Sequence, residues 1–363
     1  MRRNNRIRMG LCGAVAPALF AGSLGCAYAQ SGVTLYGIID DALSYSSKTL
    51  NPSTGRDGGR QIAMIDGQVF GSRFGMTGIE DLGGGIKTSF KLESGLNTAN
   101  GGLGNSNGNL FGRQAWVQLA GNFGSATAGV QFSPFVLALI ESDARGASDF
   151  GSLAPIYVGN VITTGLFNSN AITYSSPTFA GLQGSVMVAL GGEAGNFRAA
   201  RQYSGSVTYN RNGFFTDAAF YRGDSGDANT SAPAISTVAF TGSTIGAGYA
   251  FGNLTLKAVF VTFKVAGSFD SRVYGGGVSY TATPALVLDA GAWLTRDGND
   301  SSNHSILAAA AVRYFLSKRT MLYTQIGYVN NSGKMSTGLS NDGPVYLPSG
   351  GTFGANVGIT YSF

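Results

Sequence analysis

The sequence predicts an all-β fold, an antiparallel transmembrane β-barrel of sixteen strands, and three observations predict it. Short runs that alternate apolar and polar side chains recur along the chain, the period of a strand with one greasy and one wet face. The connections between those runs alternate between short and long. Beyond residue 29 no apolar run approaches the roughly 20 residues that a membrane helix needs. Composition agrees: 56 glycines, 23 phenylalanines and 16 tyrosines stand against 9 prolines and 12% charged residues, with no shift that would mark a linker between soluble domains.

The chain opens on a segment to be set apart from the fold. Arg2, Arg3, Arg6 and Arg8 precede an apolar stretch, and Ala27-Tyr28-Ala29 follows it, the pattern of a secretory signal peptide over 1–29. The barrel domain is then 30–363. The leader carries four arginines and no acid, so its removal lowers the formal net charge from +5 to +1. Nucleic acid is therefore not an expected partner. Cys12 and Cys26 leave with the leader, which excludes a disulfide framework and a thiolate metal site.

The alternating segments fall near 33–46, 69–80, 86–96, 111–120, 125–132, 171–176, 181–190, 202–211, 213–222, 238–251, 254–265, 270–281, 286–296, 304–316, 320–330 and 352–363. The last is the cleanest: Ala355, Val357, Ile359, Tyr361 and Phe363 alternate with Asn356, Gly358, Thr360 and Ser362. Connections after the even-numbered segments are tight, as at 81–85, 121–124, 252–253 and 317–319. After several odd-numbered segments they are long, as at 47–68, 97–110, 133–170 and 331–351. Short turns at one rim and long loops at the other describe an up-and-down barrel in an outer membrane. Such a sheet must close, because lipid offers no partner to edge amides. The segment that starts at Val33 should therefore meet the one that ends at Phe363. Tyr280, Tyr314, Tyr328, Tyr361, Phe251 and Phe363 lie near segment ends on the apolar parity and suit interfacial girdles.

Several stretches carry a family resemblance. They are Val33-Thr34-Leu35-Tyr36-Gly37-Ile38-Ile39-Asp40, the run from Gly71-Ser72-Arg73-Phe74-Gly75 through Glu80-Asp81-Leu82-Gly83, then Leu92-Glu93-Ser94-Gly95, Phe111-Gly112-Arg113-Gln114-Ala115-Trp116-Val117, and the terminal Tyr361-Ser362-Phe363. With these the mature chain resembles the Gram-negative general porins of the beta- and gamma-proteobacterial type. The resemblance implies a homotrimer in outer-membrane lipid, each barrel a passive channel for small hydrophilic solutes and ions, with the third extracellular loop folded inward to narrow the pore. The 133–170 connection occupies that third long-loop position. Two positions that carry arginine in members of that family are Val130 and Thr173 here, which thins the basic cluster and points to weak charge selectivity.

A diffusion channel selects by the charges at its narrowest section. The wall candidates are Arg73, Lys87, Lys91, Glu93 and Arg113. Strand parity turns Lys87, Lys91 and Glu93 inward, and Phe74 and Met76 facing lipid leave Arg73 inward too. Arg113 shares parity with Ala115 and Val117, so its inward placement rests on the resemblance or on a bulge. The loop offers Glu141, Asp143 and Asp149, with Arg145 among them; these acids either face the basic wall across the opening or hold the loop in place. The apolar run 135–140 suits packing against the barrel interior or a helical turn.

No enzyme is expected. The single histidine, His304, sits at a segment start with no acid–nucleophile neighbours, and no cofactor or metal is called for. Gly83-Gly84-Gly85 lacks the setting of a phosphate loop and reads as a tight turn. The competing functions are a substrate-specific channel of the same fold and an adhesin or receptor barrel whose surface loops matter more than its lumen.

Overall fold

The computed structural model describes residues 32–161, 166–224, 239–268 and 270–363. The leader lies outside them. The chain begins with β1 (Gly32–Ser46), β2 (Gln61–Asp66), β3 (Arg73–Gly83), β4 (Ile86–Asn97), the two-residue β5 (Gly102–Leu103), β6 (Gln114–Gly121) and β7 (Gly124–Gln131). Two helices follow, α1 (Pro134–Ser142) and α2 (Leu153–Val161). The wall resumes with β8 (Asn168–Ser175), β9 (Leu182–Ala189), β10 (Gln202–Arg211), β11 (Phe214–Gly223), β12 (Phe240–Phe251) and β13 (Leu254–Val265). It ends with β14 (Asp270–Thr283), β15 (Leu286–Asp297), β16 (His304–Phe315), β17 (Thr320–Ser332) and β18 (Gly350–Ser362).

All pairings are antiparallel between neighbours, and β18 returns to β1 with Ile38 opposite Ser362 and Ser46 opposite Gly354. Sixteen strands close the wall, so it has no free edge. β2 and β5 are additions to the expected set: β2 pairs with the outer half of β1, beyond where β3 pairs with its inner half, and β5 folds back on the end of β4. The Gly83–Gly85 turn holds all three residues at positive φ, which glycine adopts without strain.

Two expected strands start later than their hydrophobic pattern. The 69–72 stretch leaves the ladder because the Asp40 carboxylate accepts the Val69 and Phe70 amides at 3.0 and 2.8 Å, while Ser72 Oγ accepts the Asp40 amide. β6 begins at Gln114 rather than near 111, and this changes which way Arg113 points.

Outward positions are apolar and exposed, among them Val207, Ile245, Ile326 and Val357. The aromatics expected at strand ends lie on that surface, Tyr280, Tyr314, Tyr328, Tyr361, Phe251 and Phe363 alike. The other face surrounds a lumen, and there the largest buried cluster forms between the wall and the two helices.

Candidate functional site

The 133–170 connection is a helical insertion. Ser133 caps α1 by accepting the Val136 amide at 3.2 Å, and Pro134 opens its first turn. The run that follows seats Phe135, fully buried, between Tyr221, Phe263 and Tyr157, with ring centroids 6.2–6.4 Å apart. Tyr221 and Phe263 belong to β11 and β13, on the face opposite the exposed apolar one, so the insertion docks inside the barrel.

Glycines in the wall make this approach feasible. A Cβ on Gly242 would lie 2.6 Å from Phe135, one on Gly246 would lie 2.0 Å from Ser142 Oγ, and one on Gly277 would lie 2.7 Å from the Ala144 methyl. Polar anchors reinforce the contact. Ser142 donates to Asp217 at 2.5 Å, and Lys257 donates to the Glu141 carbonyl at 2.5 Å. Arg145 is the main one: Nε donates to Asp289 at 2.6 Å, one terminal nitrogen to the carbonyls of Phe150 and Gly151 at 2.7 Å each, and the other to Gln325 at 2.5 Å. Asp289 also accepts from Arg313 at 2.6 Å. The last long connection straps the insertion from the other side. Gly151 donates to the Leu339 carbonyl, Phe150 bridges Ser340, and Asn341 donates to Asp149 at 2.6 Å.

Opposite the helices, the wall carries a cluster centred on Glu93, only 3% exposed. Its carboxylate accepts from Arg113 Nε at 2.9 Å and from Tyr36 at 2.8 Å; Lys91 Nζ lies at 3.4 Å and Arg73 Nε at 4.0 Å. Gln114 adds a weaker bond at 3.4 Å. Arg113 precedes β6, and its amide donates to the Glu93 carbonyl, so Arg113 and Gln114 both turn inward and strand parity does not apply to Arg113. Its guanidinium also lies 5.3 Å from the centre of the Phe167 ring.

Between this cluster and the helices lies a cavity of about 370 Å³. Arg73, Lys91, Glu93, Arg113 and Asp149 line it. The other three candidates are placed elsewhere. Lys87 is exposed beside the Gly83–Gly85 turn, two inward positions before Lys91 on β4. Glu141 lines a separate chamber of about 560 Å³ on the short-turn side of α1. Asp143 is fully buried inside the insertion, where it accepts the amides of Arg145 and Ala147 with one oxygen and that of Leu153 with the other. Of the three loop acids, expected either to face the basic wall or to hold the loop, Asp149 alone lies in this cavity, and it is also bonded to Asn341. Burial raises the Asp149 carboxyl to about 6, and it raises Asp342 as well, with repulsion from Asp149 as the second cause. Sequence reading missed Tyr36, Gln114, Asp289 and Gln325. Asp289 was visible as a carboxylate on the lumen parity of β15, with nothing in the chain to name its partner.

The chain matches the family model for Gram-negative porins over residues 13–334. It belongs to the Gram-negative porin family. Outer membrane porin protein 32 of Delftia acidovorans is 29% identical, over 96% of this chain and 99% of that protein. An outer membrane porin protein of Bordetella pertussis is 36% identical over 177 residues, 47% of this chain and 45% of that protein. Among solved structures, an anion-selective porin from Comamonas acidovorans superposes with a TM-score of 0.79 at 24% identity, covering 92% of this chain and all of that one. This porin is an outer-membrane protein and a channel for passive diffusion.

Proposed function

We propose that the cavity between the helices and the Glu93 cluster is the constriction of this porin, and that it gives a weak preference for anions among small hydrophilic solutes and ions. The observation that carries this is the convergence of Arg73, Lys91 and Arg113 on one buried carboxylate, facing an insertion that docks inside the barrel. With Glu93 and Asp149 ionised, the lining carries a formal charge of +1. A small positive charge at a narrow, partly dehydrated section favours anions without excluding cations. The anion-selective porin from Comamonas acidovorans shares this fold and lends the reading support.

Deleting 135–150 and recording single channels in planar bilayers tests the assignment. Conductance should rise while the barrel stays closed, because the wall is held by its own ladder. An unchanged conductance would remove the insertion from the constriction. We propose also that the protein assembles as a homotrimer; OmpT of Vibrio cholerae, with a TM-score of 0.64 at 14% identity over 92% of this chain and 99% of that one, was solved in a trimer form. The mass of the detergent-solubilised particle decides this.

A further inference from the structure

The two sides of the constriction differ in kind. On the wall side stand Arg73, Lys91 and Arg113, the first two with 22% and 26% of their side chains exposed. On the insertion side the side chains are mostly apolar, Val136, Ile140, Ala154, Val158 and Leu166, with Phe132 just before the insertion; Tyr157 and Asn341 are polar members of the same lining. The insertion has four charged residues, and three of them are turned away from this space. Arg145 is bonded to Asp289, Asp143 to backbone amides, and Glu141 lines the other chamber. Asp149 remains, at one end and tied to Asn341.

A small, strongly hydrated anion in this space finds cationic groups on one side and a mostly apolar surface, poor at replacing its water, on the other. A carboxylate attached to a compact apolar body finds both halves matched: the head on Arg73, Lys91 and Arg113, the body against Ile140, Val158 and Leu166. Arg113 already stacks on Phe167, so an aromatic body would extend an existing cation–π contact rather than create one.

We infer that the constriction is a subsite for amphipathic monoanions, carboxylates bearing a compact aromatic or branched apolar body, which it holds in transit in preference to small hydrophilic anions of the same charge. The inference rests on the assignment of this cavity as the constriction of a conducting pore.

The test uses the full-length porin in planar bilayers. Potassium chloride alone establishes conduction. Sodium benzoate, sodium acetate and benzylammonium chloride are then added in separate titrations, and the reduction of the chloride current is read. Benzoate should act at roughly tenfold lower concentration than acetate, the effect of burying a ring's apolar surface, and benzylammonium should not act in that range. Ile140→Asn should bring the benzoate and acetate concentrations together, and Arg73→Gln should weaken both. Equal concentrations for benzoate and acetate in a conducting wild-type channel would overturn the subsite and leave the constriction standing. Equal action of benzylammonium would overturn the role of the arginines. No chloride current at all would overturn the pore reading and the subsite with it.

Discussion

Asp289→Asn tests how the insertion is held. Asp289 is buried on the lumen face of β15 and accepts from two guanidinium groups, Arg145 at 2.6 Å and Arg313 at 2.6 Å. Arg313 is 20% exposed and can take up water when its partner is lost, whereas Arg145 is 1% exposed and cannot without moving. The substitution leaves Arg145 bonded only to neutral acceptors through its guanidinium, with Asp143 as the remaining acid nearby. Breaking a buried pair from one side costs about 3–5 kcal/mol. The barrel wall is closed by backbone hydrogen bonds, so the least costly relief is for residues 145–151 to leave the wall and carry the guanidinium into the lumen. The ratio of docked to undocked insertion should therefore fall by roughly 10²–10⁴-fold, since about 1.4 kcal/mol is a factor of ten.

Single-channel recording should show this as added open-channel noise and conductance substates, with a smaller change in the melting temperature of the barrel. Arg145→Met should do less, because Asp289 keeps Arg313. The double variant Arg145→Met with Asp289→Asn should be quieter than Asp289→Asn alone, since no charge is stranded. Asp289→Asn channels with wild-type noise, conductance and thermal stability would refute the reasoning.

Other expectations follow from the same geometry. Glu93→Gln keeps an acceptor for Arg113 but takes the lining from +1 to +2, and a unit charge about 5 Å from a passing anion is worth roughly 1–3 kcal/mol at effective dielectric constants between 80 and 20; the reversal potential in a potassium chloride gradient should shift towards anions. Asp149 has its carboxyl raised to about 6, so its charge is present above that pH and lost below it; anion preference should increase as pH falls from 8 to 5, and Asp149→Asn should remove that part of the change. A flat profile over that range would count against Asp149 as a lining residue. Gly246→Val places atoms where Ser142 Oγ now sits 2.0 Å from an added Cβ, with Asp217 Oδ1 at 3.3 Å, and it should reproduce the noise of Asp289→Asn without changing the number of charges.

The wall was legible in the sequence because two solvents write it: each strand needs an apolar side for lipid and a polar side for the lumen, and alternation records both. Closure between β1 and β18 and the short-turn rim followed from the same pattern. The starts of β3 and β6 were not legible, since they depend on side-chain bonds between distant segments, Asp40 to the 69–70 amides and Glu93 to Arg113. Inside the insertion, position in the chain does not say which way an acid points. Asp143 and Asp149 are six residues apart in similar surroundings, yet one closes on backbone amides and the other reaches the cavity. The glycines of β12 and β14 on the lumen parity were a usable signal, because an inward strand position without a side chain leaves room for something to approach.

Apart from Asp149, which lines the cavity and is also tied to Asn341, the charges that dock the insertion and those that line the cavity are separate sets. Arg145, Asp289, Arg313 and Asp217 hold the insertion against β11 to β16, and none of them lines the cavity. Arg73, Lys91, Glu93 and Arg113 line the cavity from β3, β4 and the residue before β6 and do not touch the helices through an ion pair. The two sets should be separable by experiment. Asp289→Asn should change noise with little change in reversal potential, and Glu93→Gln should do the reverse. A channel in which each substitution moved both readouts equally would mean that the insertion's position and the wall's charge form one device, with the wall cluster itself set by how the helices dock.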